Sequence, residues 1–173
     1  MRSIALAIAT LLLLSACTDD EPIEPKHSDS SKPSASPPTL PASARYEDPA
    51  GAANFVRHWI ETSNYAALTG DTSELTELSD TNCTGCDKYI ELYESIYASG
   101  GYIEGATRKI GAVDLEISGR EVLVRGDIRA EEGRYRDSKD EPERVSKANV
   151  TSVEFAVAFQ EGRWLMQQIG LPN

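Results

Sequence analysis

The chain has 173 residues, with 28 Asp and Glu against 17 Lys and Arg, a net charge of −11. That balance argues against nucleic acid as a partner, since such binding needs clustered basic side chains. It equally disfavours docking on anionic lipid through a basic patch, and it reads as a solubilising surface.

The chain opens MRSIALAIATLLLLSAC. One Arg precedes an apolar run over residues 4–14, and small residues follow at Ser15 and Ala16. This is the layout of a secretory signal over residues 1–16, too short to span a bilayer. Leu14-Ser15-Ala16-Cys17 resembles the bacterial lipobox, in which the cysteine becomes the diacylated first residue of the mature protein. The resemblance implies a lipid anchor on Cys17 at the outer face of the cell membrane. Two acyl chains suffice for stable anchoring where one gives only marginal binding.

Residues 17–45 hold six of the nine prolines and many serines, with almost no large apolar side chains. Such composition cannot offset its ordering entropy, so a disordered stalk is expected up to residue 45. A single domain over residues 46–173 follows.

Its first half is helical in pattern. Asp48-Pro49 supplies an N-cap and a proline at the first helical position. Phe55, Val56, Trp59 and Ile60 then recur with a 3.6-residue period, and Thr69-Gly70-Asp71 ends the helix. Residues 72–78 read as a short second helix. A third starts near Thr84, carries Tyr89, Tyr93 and Tyr97 on one face, and stops at Gly100-Gly101.

The second half alternates. Val113, Leu115 and Ile117 lead to a turn at Ser118-Gly119-Arg120, and Val122, Val124, Ile128 and Ala130 return. The charged stretch 131–147 reads as a long hairpin loop. Val153, Phe155, Val157 and Phe159 alternate next, and Glu161-Gly162 turns into a closing strand over residues 163–169. Helices first and antiparallel strands after predict an α+β fold, with three helices packed on a curved sheet of about four strands.

This order, closing with the hairpin at Glu161-Gly162-Arg163-Trp164, resembles the NTF2-like cone fold. The run Tyr46-x-x-Pro49, Phe55, Trp59-Ile60, Asn64-Tyr65-Ala66, Thr69-Gly70-Asp71-Thr72, Cys83-x-x-Cys86 resembles a family of actinobacterial lipoproteins with no assigned function. The resemblance implies an architecture and a host group. It carries no chemistry.

NTF2-like folds enclose a cavity between helices and sheet, so the inward positions matter most. Phe55, Trp59, Tyr89, Tyr93, Tyr97, Phe155 and Phe159 face inward. They either fill a core or line an apolar pocket with tyrosine hydroxyls at its polar points. His58, the one histidine of the domain, borders the apolar stripe of the first helix and is the candidate general base of a cavity enzyme. No inward carboxylate pair is apparent.

Cys83 and Cys86 could be a redox couple, half of a zinc site, or a staple. Zinc needs about four ligands and no second pair exists. Export to an oxidising compartment favours pairing, and Cys17 is committed to lipid. The motif follows helix and loop rather than the β-strand of a βαβ unit, so a structural disulfide is expected. No metal or cofactor is indicated.

The sequence thus predicts a lipid-anchored envelope protein whose domain binds a small apolar ligand or another envelope protein without catalysis. The competing reading is an enzyme, either a thiol–disulfide oxidoreductase using Cys83 and Cys86 or a cavity enzyme using His58.

Overall fold

The computed structural model describes residues 35–172. Cys17, the signal over residues 1–16 and the stalk as far as residue 34 lie outside the described residues. Helix α1 spans Pro49–Thr69 and starts as its sequence dictates. The Asp48 carboxylate accepts from the Gly51 amide at 2.6 Å and Pro49 occupies the first turn. Gly70 ends it in the left-handed conformation (φ 74°), a geometry only glycine adopts without strain. The Tyr97 hydroxyl then donates to the freed carbonyls of Ala67 and Leu68, at 2.8 and 2.6 Å. Helix α2 is short, Ser73–Glu77, and α3 runs Thr84–Ala98 with Cys83 as its N-cap.

Seven strands follow where about four were expected, in two antiparallel sheets. The large sheet has the order β2 (Arg108–Ser118), β3 (Glu121–Ala130), β6 (Asn149–Gln160) and β7 (Arg163–Gly170). Two register shifts, between Ile110 and Val113 and between Ala156 and Val157, bend it. Ile128, Val124 and Val122 of β3 and Phe155 and Val157 of β6 meet Phe55, Val56 and Trp59 of α1 in one buried cluster. The opposite face is charged: Arg125 bonds Glu154, its cross-strand partner on β6, and reaches Glu116 at 2.6 Å.

The small sheet corrects the reading of residues 131–147 as a loop. There β4 (Gly133–Arg136) and β5 (Arg144–Ser146) pair in the order β1-β4-β5, with β1 at Tyr102–Gly105. The stretch lacks apolar alternation because ionic and aromatic contacts hold it. Arg134 bonds Glu104 at 2.6 Å, Arg144 bonds Asp137 and Glu141 at 2.9 and 2.6 Å, and Arg136 lies 5.1 Å from the centre of the Tyr102 ring.

A second correction concerns the domain's beginning. Residues 42–45 form a 3₁₀ turn, Ala44 is buried in the core cluster, and Leu40 packs against that cluster. The Tyr46 carbonyl accepts from the Trp164 indole at 3.0 Å. The packed domain therefore begins near residue 40. Small apolar residues among prolines were enough to seat the segment against α1 and one end of β7, although their composition is that of a linker.

Candidate functional site

The interior is filled at one end and open at the other. Phe55, Val56, Val124 and Val157 close the filled end, all nearly inaccessible to solvent. Beyond them lies a pocket of about 230 Å³. Trp59, Ile60 and Ser63 of α1 form one wall and Tyr89 of α3 a second. Ile128, Val153, Phe155 and Ile169 of the large sheet form its floor. Ser146, Asn149 and Thr151 add polar groups from β5 and β6.

One charged side chain reaches this pocket, that of Arg108, at the start of β2. The chain arrives there through Gly105 and Ala106, both at positive φ (70° and 54°), which swing it from the small sheet into the large one. Asn64 of α1 then clamps the Arg108 peptide. Its side-chain oxygen accepts from the Arg108 amide at 2.9 Å, and its nitrogen donates to the Arg108 carbonyl at 2.8 Å.

The guanidinium is positioned as closely as its backbone. Nη1 donates to the Tyr93 hydroxyl at 2.7 Å, and that oxygen is 3.1 Å from Ser63 Oγ. The guanidinium carbon lies 5.2 Å from the centre of the Tyr89 ring, which in turn meets Trp59 edge-on at 5.9 Å. Burial works against the charge, but Tyr93 and Tyr89 outweigh it, so the Arg108 pKa lies above the ordinary arginine value.

The seven aromatic residues singled out from sequence separate into three groups. Trp59, Tyr89 and Phe155 line the pocket. Phe55 and the wholly buried Tyr93 stand behind its walls, Tyr93 touching it through Arg108. Tyr97 and Phe159 are elsewhere. Tyr97 lies one turn beyond Tyr93 and spends its hydroxyl on the end of α1, so burial raises its pKa. Phe159 lies at the far end of β6, edge-on to Trp164 at 5.2 Å. Inward alternation is shared by a whole strand, whereas a pocket occupies only a few residues of it.

His58 does not line the pocket either. It is buried against α2, with Nε2 3.3 Å from Glu74 Oε1 but not aligned as a hydrogen bond. Cys83 and Cys86 sit at disulfide distance (Sγ–Sγ 2.02 Å), both fully buried at the start of α3. Among the described residues, no cluster of three or more His, Cys, Asp or Glu side chains could hold a metal ion. No described helix is long and apolar enough to cross a membrane.

Sequence reasoning missed Arg108 because it started the first strand at Val113. The bulge before Val113 breaks the alternation that would have extended the strand back. A signal was present: Arg108 and Ile110 are two apart, so in a strand they share a face.

The family model of DUF6318, described as a family of unknown function, matches residues 26–170. No curated protein matches the chain. Among solved structures, the intermembrane space region of the chloroplast protein ARC6 is similar with a TM-score of 0.52 and 14% identity, over 72% of this chain and 96% of that one. An NTF-2 like protein of unknown function from Shewanella oneidensis is similar at 0.43 and 14%, over 68% of this chain and 96% of its own. An NTF2-like protein with a cystatin-like fold from Novosphingobium aromaticivorans gives 0.41 and 13%, over 68% and 78%.

Proposed function

This chain belongs to the DUF6318 family, a family of unknown function, and we propose that its domain is a non-catalytic binding module presented at the cell envelope on a lipid anchor. We read the architecture as NTF2-like, three helices laid on a bent antiparallel sheet. The observation that carries the binding reading is the pocket itself, enclosed by α1, α3 and both sheets, with Trp59, Ile60, Ile128, Val153, Phe155 and Ile169 as its apolar walls beside nearly as much polar lining. Apolar walls with a few placed polar groups are the usual form of a small-molecule site. Its titratable lining groups are Tyr89 and Arg108. No carboxylate, histidine or cysteine lines the pocket, and these are the usual acid–base and nucleophilic groups, which supports binding over catalysis.

The test uses Trp59 as reporter. The chain has two tryptophans, so Trp164→Phe leaves the one in the pocket wall. Titrating that protein with 1-octanol is expected to shift Trp59 emission saturably. In Ala130→Phe, which places a ring among the lining residues, the response should vanish. An unsaturable response, or one indifferent to Ala130→Phe, would rule the pocket out as a binding site.

The anchor rests on the lipobox-like Leu14-Ser15-Ala16-Cys17. Cys17→Ser is expected to move the protein from the membrane fraction into the medium. A mature wild-type mass without added acyl chains would refute the anchor.

A further inference from the structure

The preceding reading leaves the ligand's chemistry open, and Arg108 narrows it. Carboxylates outnumber basic residues by 28 to 17 in this chain; Arg125, Arg134 and Arg144 pair with them, whereas Arg57 and Arg136 bond backbone carbonyls instead. Arg108, lining a pocket of mixed polar and apolar walls, has no carboxylate partner among the described residues. Its one side-chain hydrogen bond there is from Nη1 to Tyr93. In a guanidinium Nη1 lies on the side of Cδ, so Nε and Nη2 form the opposite, side-on edge. That edge is left without a protein acceptor among the described residues. Neither donor is among the fully buried unpartnered atoms of the described residues, so the edge is open to the pocket and a ligand acceptor can take the place of solvent there. The clamp by Asn64 and the contacts with Tyr93 and Tyr89 hold the edge in place before any ligand arrives.

Resting on the pocket reading, we propose that the ligand is a monocarboxylate with a short apolar body, its carboxylate gripped side-on by Nε and Nη2 of Arg108 and its body lying against Trp59, Ile128, Val153 and Phe155. The planar fork matches a carboxylate bidentately. Stoichiometry of charge favours a carboxylate over a phosphate ester, which carries about −1.5 to −2 at neutral pH. One guanidinium balances one carboxylate, and the pocket lining offers no second cation.

The experiment compares octanoate, 1-octanol and octyl phosphate on the Trp164→Phe protein at neutral pH. Octanoate is expected to bind at least tenfold more tightly than octanol. Arg108→Met should weaken octanoate about tenfold to a hundredfold, the range for a hydrogen bond to a charged group, and octanol by a much smaller factor, so that the octanoate preference collapses. Arg108→Lys keeps the charge without the fork and should fall between. The wild-type pH profile needs no variant: octanoate affinity should drop as pH falls through the carboxylate range while octanol affinity holds. Equal affinity for octanoate and octanol would overturn the carboxylate proposal and leave the pocket standing. Tighter binding of octyl phosphate would overturn it in favour of a phosphate ligand. Binding of none of the three would overturn the proposal and the pocket reading together.

Discussion

Trp59→Ala is expected to lower the unfolding free energy by about 3–5 kcal/mol, the range for truncating a buried aromatic. Trp59 is 2% exposed, its indole nitrogen donates to Ser79 Oγ at 3.1 Å, and its ring meets Tyr89. Ser79 also bonds the Leu75 carbonyl and bridges to Met166 of β7, so the indole ties α1 to the loop that pairs along the edge strand β7. The new cavity would open into the existing pocket and admit water, which favours the lower part of the range. Even so, a domain of this size holds only about 5–15 kcal/mol in total. Trp59→Phe keeps most of the packing and gives up one hydrogen bond, about 1 kcal/mol net. Denaturant unfolding of the three proteins checks this. A loss below about 1 kcal/mol for the alanine variant would mean that the indole does not hold the core.

The second large effect concerns Cys83 and Cys86. Both are fully buried, so an attacking thiolate cannot reach either sulfur without local opening. The native protein is expected to resist dithiothreitol under conditions that reduce it when unfolded, and to be inactive in reducing insulin. Replacing both cysteines with serine should cost about 2 kcal/mol from the lost ring closure, with the fold retained. Insulin reduction by the native protein would reverse the assignment to a redox pair. The same turn has an acid-sensitive element. Asp80 accepts from the amide and side chain of Asn82, at 2.9 and 3.0 Å, which holds its carboxyl below the usual range. A depressed carboxyl stabilises the fold above its unfolded pKa and loses that contribution as pH falls through the folded value. The turn before α3 should therefore loosen on acidification, as hydrogen exchange at Cys83 and Thr84 would report.

Local signals were sufficient for the helices. Asp48-Pro49, Gly70 and Gly100 bound α1 and α3 because capping and left-handed geometry depend on the residues at the site and little else. Strands β3, β6 and β7 of the large sheet were equally legible, since alternation registers burial on one face. The small sheet was not, because its stabilising groups are charges and rings, some paired across 30 residues, as Glu104 with Arg134, and others close by, as Arg144 with Asp137. Nothing in a local window distinguishes those charges from solvated ones.

By itself, then, the sequence determined the α+β class, the faces that turn inward and the motifs carried on short stretches, all properties set by neighbours a few residues apart. Where the interior is filled and where it is left open was decided only in three dimensions. Phe55 and Trp59 are four residues apart on one helix and share the packed cluster, yet only Trp59 also borders the pocket. The difference lies in what the sheet presents opposite each. The same holds for Arg108, whose isolation from carboxylates follows from the path through Gly105 and Ala106 and from the clamp by Asn64, 44 residues earlier. A cavity is a property of volumes that distant segments jointly leave unoccupied, and no periodicity along the chain encodes it.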